Sequence, residues 1–355
     1  MKKTILITGG AGYIGSCIAL HLVHNNYTVI ILDHVRKLPG ALHNNNVIFF
    51  SSDYANPTLL THIFKNYVVN AVIHCAAFIN VGESVRVPDI YYENNVTKTV
   101  RLLDSMRTYA HVPLIFSSSC AVYGTPHIVP IPEHHLKNPI SPYGSSKQIC
   151  ELMLEQYAHA YGLNYIALRY FNVAGAWPEY GLAEHHAPET HIIPLLLRAV
   201  YMKIPFTIFG TTFETPDGSC VRDYIHVRDI ADIHIRALEY LFAGGTSASF
   251  NIGSGIGYSV IELIKQVQTI TGHEIPIKYA SFREGDPAQL IADIQHARTT
   301  LAWNPQFSSL EYIIKSMILA QSQTAHPAMS AEAFGEGRKP CRRVKRMLHV
   351  STSST

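Results

Sequence analysis

A tyrosine and a lysine four residues apart, Tyr143 and Lys147, have the types and spacing of a general base with a supporting cation. Ser141 can cap a helix and Pro142 suits its first turn, so the pair would lie one turn apart on one helical face. A lysine cation beside a phenol favours the phenolate, which would make the tyrosine a usable base at neutral pH. The same spacing occurs by chance in many helices. On the evidence of this pair alone, an ordinary helix without a catalytic role is the more frequent case.

A glycine-rich turn follows an apolar strand at the N-terminus. Gly9, Gly12 and Gly15 would allow a tight turn, a close approach of backbone to a pyrophosphate, and packing of the next helix on the sheet. The free amides at the start of that helix suit phosphate groups. A second apolar strand ends at Asp33, whose carboxylate can accept from ribose hydroxyls and would repel a 2′-phosphate. The sequence therefore predicts bound NAD rather than NADP, against the alternative of a glycine turn with no ligand.

Composition excludes several classes of protein. The chain has 355 residues, of which 47% are hydrophobic, enough for two domains with a large core. No apolar run reaches membrane-spanning length and none reads as a secretory signal, so we expect a cytoplasmic protein with no membrane partner. The six cysteines lack paired spacing and are expected to be free thiols. Six Lys/Arg against two Asp/Glu from residue 321 onward leave residues 1–320 with a net charge of −2, so no nucleic-acid partner is expected.

Strand and helix patterns alternate through the first half of the chain. After the two N-terminal strands, strands are predicted at 47–50, 71–75, 113–117 and 165–170, and helices at 56–67, 90–110 and 142–162. The alternation predicts an α/β fold with a doubly wound parallel sheet of the Rossmann type, whose ligands lie at the carboxyl ends of the strands. We expect an NAD-binding domain over 1–175, a smaller C-terminal α/β substrate domain mainly over 176–320 with some segments returning to the sheet, and a disordered basic tail over 321–355.

Residues that follow the third and fourth strands are placed to line the cofactor site. Asp53 would reach the adenine, and Ala76 and Ala77 would leave room for the cofactor. The predicted cofactor site further includes Tyr13, Ile14, Tyr54 and Cys75.

Short segments in a fixed order resemble the extended short-chain dehydrogenase/reductase family and, within it, the UDP-glucose 4-epimerases. The resemblance runs from residue 3 to about residue 305 and lies in TGGAGYIG at 8–15, VGES at 81–84, YYENNV at 91–96, FSSS at 116–119, SPYGSSK at 141–147, RYFN at 169–172, VRDYIHV at 221–227 and REGD at 283–286. It implies reversible epimerisation of a UDP-hexose (UDP-glucose/UDP-galactose) at C4, through a 4-keto sugar, by tightly bound NAD.

The resemblance assigns roles residue by residue. Ser119, Tyr143 and Lys147 resemble the catalytic set, with Ser119 holding the C4 oxygen while Tyr143 removes its proton. Asn95 resembles the asparagine that supports the cofactor end of the site, and Phe171 the residue on the nicotinamide side. The residues that resemble the nucleotide-sugar site are Asn172, His191, Phe209, Arg222, Arg283, Asp286 and Leu290.

Within that nucleotide-sugar site, Arg222 and Arg283 have the chemistry to clamp a diphosphate. Asp286 resembles the acid that accepts from the uridine ribose, and Phe209 lies where the family packs uracil. Leu290 stands four residues after Asp286, where the strictest UDP-glucose epimerases carry a tyrosine that crowds the C2 substituent of the sugar. A leucine there would leave space for an N-acetyl group; the alternative is that Leu290 only packs in the core.

The family also implies a homodimer, in which the helix carrying Tyr143 and the helix near 90–110 pair with their two-fold copies. Apolar residues that could form such an interface, or could equally face the sheet, are Leu102, Leu103, Met106, Leu152 and Met153.

Some positions depart from the family pattern. Ile79 replaces a lysine near the cofactor phosphates, and Lys98 replaces a glycine, which brings close packing there into question. His191 stands where asparagine is common. His185, His186 and His191 are close in sequence, but no carboxylate or cysteine ligand set is evident beside them, so no metal is expected.

Three alternatives stay open. A nucleotide-sugar 4,6-dehydratase shares the fold and the catalytic set, but that class carries an Asp-Glu pair where this chain has Cys120 and Ala121. Another UDP-sugar 4-epimerase, acting on an N-acetylhexosamine, uronic acid or pentose, fits the same residues. A non-catalytic NAD-sensing protein would have no need of Ser119, Tyr143 and Lys147 together.

Overall fold

The computed structural model describes residues 2–186, 188–282 and 286–324. Its strands are β1 (Thr4–Thr8), β2 (Thr28–Asp33), β3 (Val47–Ser51), β4 (Val69–His74), β5 (Leu114–Ser119), β6 (Tyr165–Tyr170), β7 (Asn172–Ala174), β8 (Phe206–Phe209), β9 (Val221–His226), β10 (Ala248–Ile252), β11 (Gly257–Ser259), β12 (Ile277–Ala280) and β13 (Gln289–Leu290). Its α-helices are α1 (Tyr13–His24), α2 (Pro57–Asn66), α3 (Val81–Arg86), α4 (Pro88–Tyr92), α5 (Lys98–Tyr109), α6 (Pro142–Tyr161), α7 (Ile192–Met202), α8 (Val227–Phe242), α9 (Val260–Thr271), α10 (Gln295–Thr300) and α11 (Leu310–Thr324).

Seven parallel strands form the main sheet, in the order β10-β6-β5-β4-β1-β2-β3. The central strand β1 is apolar throughout its middle because helices cover both faces of the sheet. Ile5 and Ile7 pack into the core that contains α1 and α8, whereas Leu6 points to the core that contains α2, α5 and α6. This arrangement confirms the predicted doubly wound α/β fold of the Rossmann type.

A second layer lies beyond the main sheet. Strand β9 pairs with β7, β11 and β13, and β8 pairs with β12, while α7, α9 and α11 enclose a separate apolar core. The chain returns to the main sheet once after this layer begins, since β10 pairs with β6. Helix α11 continues to Thr324, four residues into the segment 321–355 that the sequence suggested to be a tail, and the rest of that segment lies outside the described residues.

The helix that carries Tyr143 begins and ends as its sequence predicts. The hydroxyl of Ser141 accepts a hydrogen bond from the amide of Gly144 at 3.1 Å, and Pro142 occupies the first turn. Gly162 ends α6 with a left-handed backbone, φ +70°, which only glycine adopts without strain. The predicted helix 90–110 is instead divided, because a single π-helical turn (Glu93–Thr97) separates α4 from α5. The extra residue in this π-helical turn directs Asn95 towards the interior of the protein.

The apolar residues suggested for a dimer interface separate into two groups. Leu102, Leu103 and Met106 are buried against the sheet, so they offer no surface and that part of the expectation is wrong. Leu152 is 50% exposed, and Met153 is partly buried against the same core. Cys17, Cys75, Cys120 and Cys150 are free thiols, and Cys341 lies outside the described residues. None of the described helices is long and apolar enough to cross a membrane.

Candidate active site

A large cleft of about 1390 Å³ opens at the carboxyl edge of the main sheet and extends under the second layer. The strands that end at this edge include β1 at Thr8, β2 at Asp33 and β5 at Ser119. The predicted site residues that line the cleft are Gly9, Gly12, Tyr13, Ile14, Gly15, Asp33, Asp53, Tyr54, Cys75, Ala76, Ala77, Ser119, Tyr143, Lys147, Phe171, Asn172, His191, Phe209, Arg222, Asp286 and Leu290. The fold therefore brings residues from both halves of the chain to one cavity.

Three side chains gather where β5 ends and α6 begins. Ser119 is the last residue of β5, and Tyr143 and Lys147 lie in the first two turns of α6. The Nζ atom of Lys147 donates to the carbonyl oxygen of Ser117 at 2.7 Å and lies 6.0 Å from the centre of the Tyr143 ring. Tyr143 and Lys147 are both buried, so their charge states depend strongly on their immediate neighbours.

Burial governs the proton affinity of this base. It raises the pKa of Tyr143 to about 12, although a hydrogen bond with the Ser119 hydroxyl favours the phenolate. It also lowers the pKa of Lys147 to about 8. The expectation that Lys147 lowers the pKa of Tyr143 to neutrality is therefore not met by the protein chain alone. The physical reason is that burial disfavours the phenolate more strongly than the Ser119 hydrogen bond favours it, while the lysine nitrogen donates its hydrogen bond to the Ser117 carbonyl.

The glycine turn fits a ligand that contacts bare backbone. Gly9 has φ +72°, and a Cβ atom there would lie 2.7 Å from the amide nitrogen of Ala76. A Cβ atom on Gly15 would lie 2.1 Å from the carbonyl oxygen of Gly9. Gly12 precedes α1 directly, so the free amides of this 12-residue helix face the cleft. The turn thus has the shape and the donors that a pyrophosphate requires.

Asp33 stands at the end of β2, beside the glycine turn. Its carboxylate is buried and accepts hydrogen bonds from the amides of Ala11 at 3.0 Å and Val35 at 3.4 Å. These two bonds fix a negative group on the wall of the cleft, one strand away from the glycines. The arrangement suits ribose hydroxyls and disfavours an additional phosphate.

Lys98, one of the departures from the family pattern, has a defined partner in the cleft. Its Nζ atom lies 2.5 Å from Oδ2 of Asp53. Desolvation opposes ionisation of Asp53, but the hydrogen bond from Lys98 prevails and the pKa of Asp53 is lowered. The neighbouring Tyr54 donates its hydroxyl to the carbonyl oxygen of Asn94. The close packing that a glycine would give is replaced here by an ion pair on the cleft wall.

Asn95 lies behind the wall of the cleft. Of the predicted site residues that the structure describes, it is the one that does not line the cavity. Its side chain accepts from the amide of Phe78 at 2.8 Å and donates to the carbonyl of Phe78 and to the hydroxyl of Ser146. Asn95 therefore ties the loop after β4 to α6. Its predicted support of the cofactor end of the site stays a prediction, and these three bonds show that it also positions that loop.

The substrate half of the cleft contains an arginine held in place by the backbone. Arg222 donates to the carbonyl oxygens of Val221 and Pro287, each at 2.9 Å, and lies 3.4 Å from Oδ1 of Asp286. Asn172 donates to the carbonyl oxygen of Asp223 at 3.0 Å. The structure thus brings the predicted diphosphate and ribose contacts together. Arg283 lies outside the described residues.

Leu290 lies in the wall of the cleft. It pairs with Arg222 in the register between β13 and β9, and it packs against the buried cluster that contains Cys120, Tyr123 and Phe171. Leu290 therefore packs on a core and also lines the cavity, and the space for an N-acetyl group stays a prediction.

Sequence reasoning missed two groups that contribute to the site. Arg198 of α7 lines the cleft, and no motif marks it, because a single arginine in an amphipathic helix carries no signal. Ser117 accepts from Lys147 through its carbonyl and donates through its hydroxyl to the sulfur of Cys75 at 3.2 Å. The FSSS segment, which contains Ser117, indicated that this end of the strand belongs to the site. Spacing alone could not show which of its serines contacts Lys147.

No metal was expected because no carboxylate or cysteine ligand set was evident beside the histidines, and that reason is wrong. Two carboxylates, Glu184 and Glu189, accompany His186 and His191, and one ligand atom of each of the four residues lies within 4.8 Å of all the others. In the sequence Glu184 comes before the histidines and Glu189 lies between His186 and His191, but only the path of the backbone shows that they converge.

Comparison with known proteins agrees with this geometry. Residues 5–253 match the NAD dependent epimerase/dehydratase family. A UDP-glucose 4-epimerase from Halalkalibacterium halodurans is 46% identical over 313 residues, which are 88% of this chain and 93% of the relative. The crystal structure of UDP-glucose 4-epimerase from Brucella ovis in complex with NAD is 41% identical, with a TM-score of 0.84 over 88% of this chain and 97% of that one. The UDP-Glc/GlcNAc 4-epimerase from Campylobacter jejuni is 35% identical, with a TM-score of 0.79 over 90% and 99%.

Proposed function

The chain belongs to the NAD dependent epimerase/dehydratase family, and we propose that it catalyses the reversible C4 epimerisation of a UDP-hexose, interconverting UDP-glucose and UDP-galactose with tightly bound NAD. One observation carries this proposal. Ser119, Tyr143 and Lys147 line the same cleft as the glycine turn at one end and Arg222 at the other. A base, a cofactor cradle and an anchor for a diphosphate are thereby within one cavity.

The chain's own residues supply the acid–base chemistry. The phenol oxygen of Tyr143 takes the proton of the sugar C4 hydroxyl, and the hydroxyl of Ser119 holds that oxygen in place. In the reverse step, the same phenol returns the proton to the C4 oxygen. Because burial raises the pKa of Tyr143 to about 12, the phenolate needs positive charge beside it.

That positive charge comes from two sources. Lys147 contributes its ammonium, which the Ser117 carbonyl holds on the same side of the cleft. When bound, NAD supplies reversible hydride exchange with sugar C4, through a 4-keto sugar, and the positive charge of its oxidised ring. The glycine turn from Gly9 to Gly15 would hold its pyrophosphate, and Asp33 would hold its adenosine ribose.

Inversion also requires that the sugar turn over while the nucleotide stays fixed. Arg222 and Asp286 lie 3.4 Å apart at the substrate end and are our candidates for the diphosphate and ribose contacts. Phe209 lines the same end and is our candidate for the uracil contact. A firmly held UDP with a free sugar lets both faces of the 4-keto sugar reach the same hydride carrier.

Dehydration, the other reaction in the family description, is disfavoured by the residues after β5. Elimination of water needs a second acid and base beside the sugar. At that point the cleft is lined by Cys120, whose pKa burial raises to about 12, and by Ala121, which has no ionisable group. A purely NAD-sensing protein is disfavoured by the presence of the full catalytic set.

We further propose a homodimer that forms through the outer face of α6. Ile149 is 36% exposed and Leu152 is 50% exposed on that face, and Ile90 is 39% exposed near α5. Apolar side chains on neighbouring helices suit a helix-to-helix interface between two copies. The free, mostly buried cysteines support a cytoplasmic location.

The breadth of sugars is a finer proposal. Leu290 offers a short side chain beside Arg222, so the cleft would admit an N-acetyl group at C2. The similarity to a UDP-Glc/GlcNAc 4-epimerase supports this extension to N-acetylhexosamines.

The decisive assay uses the purified protein without added cofactor. We expect incubation with UDP-galactose alone to yield UDP-glucose, because each turnover regenerates the NAD that the protein already carries. Denaturing the protein and measuring the released nucleotide gives the NAD content of the same sample. A sample that carries NAD yet leaves UDP-galactose unchanged would overturn the proposed reaction while leaving the cofactor site intact.

A further inference from the structure

Two histidines and two glutamates converge at the rim of the cleft, where the chain enters α7. Nδ1 of His186 lies 3.1 Å from Oε1 of Glu184, and Nδ1 of His191 hydrogen bonds to the same oxygen. Nδ1 of His191 also lies 3.9 Å from Oε1 of Glu189. The four residues span only 184–191, so a turn of eight residues presents four ligand atoms around one point.

A buried carboxylate oxygen at this point lacks a partner. The side chain of Glu184 is 1% exposed, and its Oε2 atom has no hydrogen-bond partner among the described residues. The two oxygens of a carboxylate are joined to one carbon, so Oε2 lies beside the oxygen that both histidines contact. A buried, unpaired carboxylate oxygen is costly, and a bound cation is one of the few groups that would satisfy it.

We propose that Glu184, His186, Glu189 and His191 bind one divalent transition-metal ion of the zinc type. Two imidazole nitrogens and two carboxylate oxygens form a ligand set that suits Zn²⁺ and its neighbours in the first transition row. Ligand atoms around tetrahedral zinc lie about 3.4 Å apart, so the ligand atoms, which all lie within 4.8 Å of one another, would approach by up to about 1.4 Å on binding. Such a closure requires only side-chain rotation within one turn.

The ion would hold the backbone in place at the rim of the cleft. Glu184, His186 and His191 all line the cavity, and α7 begins at the next residue, Ile192. A metal that joins the two ends of the turn fixes the start of α7, whose residue Arg198 also lines the cleft. The site holds structure beside the substrate end and takes no part in hydride transfer. The inference therefore does not rest on the proposed reaction.

Metal binding is tested directly on tag-free protein. The full-length protein is treated with a chelator, dialysed, and titrated with Zn²⁺ alone, followed by metal analysis of the protein fraction. We expect one ion per chain. His186→Ala removes one metal ligand. Losing a residue that only hydrogen bonds to a ligand typically weakens metal binding by about 10–100-fold, and losing the ligand itself should weaken it further. His185→Ala is the matched control, because His185 is the exposed neighbour that does not belong to the cluster.

Two further measurements keep the test decisive. Co²⁺ in place of Zn²⁺ should give visible absorption without a thiolate charge-transfer band, since no cysteine belongs to the cluster. If His186→Ala does not fold, Glu189→Gln replaces it, with Glu179→Gln on the exposed turn nearby as its control. The proposal is overturned if the wild-type protein binds less than one ion per chain, or if His185→Ala weakens binding as much as His186→Ala.

Discussion

The ammonium nitrogen of Lys147 lies 6.0 Å from the centre of the Tyr143 ring, one turn further along the same helix. At this distance the lysine supplies charge to the phenol without a direct hydrogen bond. The hydroxyl of Ser119 approaches Tyr143 from the end of β5. In the proposed mechanism, α6 therefore carries the base and its cation, and β5 carries the group that orients the substrate.

The first prediction concerns Tyr143. Tyr143→Phe keeps the ring but removes the oxygen that takes the C4 proton, so turnover should fall by about 10²–10⁴. NAD content and the midpoint of thermal unfolding should stay near those of the wild type, because the ring still fills its buried position. Tyr92→Phe, which removes a hydroxyl from an exposed residue, is the control and should be fully active. Near-normal turnover in Tyr143→Phe would remove this tyrosine from the mechanism.

The second prediction concerns cofactor choice at Asp33. Mass spectrometry of the denatured protein should find NAD and not NADP, because the buried carboxylate repels a 2′-phosphate. Asp33→Asn keeps an oxygen for the amide of Ala11 but removes the charge. It should raise the affinity for NADP relative to NAD by roughly tenfold, which corresponds to about 1.4 kcal/mol. Recovery of NADP alone from the wild-type protein would contradict the assignment.

Much of the cofactor half could be predicted from the sequence because its signals are local. Gly9, Gly12 and Gly15 follow β1 directly, and Asp33 follows β2, so strand ends and turn chemistry place them without knowledge of the whole fold. The caps of α6, Ser141 and Gly162, are equally local.

The remaining features depend on contacts between distant segments. The pKa of Tyr143 is set by burial under the second layer, which no spacing reveals. The sequence pattern fits Leu102 and Met106 equally well on the surface or in the core. Only the position of the sheet shows that they lie in the core. The convergence of Glu184 with His191 depends on a turn whose backbone path the sequence does not specify.

The third prediction concerns stability in acid. Burial lowers the pKa of His74 to about 3, of His226 to about 3 and of His234 to about 4. The unfolded chain, with histidine pKa values near ~6.5, therefore binds more protons than the folded one below that pH. Stability is present in full above about pH 6.5 and is lost as the pH falls, by up to about 1.4 kcal/mol per pH unit for each residue. Urea titrations between pH 7.5 and 5 measure this slope.

A single substitution separates these buried histidines from the carboxylates that also titrate in acid. His234 contacts the hydroxyl of Tyr170 at 2.8 Å and the carbonyl of Ile230 at 2.7 Å, and glutamine can form similar bonds. His234→Gln should lower the slope by roughly 1 kcal/mol, and at most about 1.4 kcal/mol, per pH unit between pH 5 and 6. The exposed His43→Gln should leave it unchanged. Equal slopes in His234→Gln and the wild type would show that this histidine is not buried in its neutral form.

The fourth prediction concerns the homodimer. Leu152→Glu places a charge on the exposed apolar face of α6, so sedimentation should change from dimer in the wild type to monomer at micromolar concentration. Leu136→Glu, at a residue that is 69% exposed outside the helices, should remain a dimer. A wild-type protein that sediments only as a monomer would refute the proposed interface.

The last prediction concerns the breadth of sugars and depends on Leu290. The residue pairs with Arg222 between β13 and β9, packs against the buried cluster that contains Phe171, and lines the same cleft as Ser119 and Arg222. Wild-type protein should therefore convert both UDP-galactose and UDP-N-acetylgalactosamine. Leu290→Tyr adds a ring and a hydroxyl in that cleft and should suppress the N-acetylated reaction while sparing the other. Leu290→Met, with nearly the same volume, is the control and should keep both activities. Equal loss of both reactions in Leu290→Tyr would show that the tyrosine disturbs the core and not the sugar pocket, and a wild type inactive on the N-acetylated sugar would refute the breadth itself.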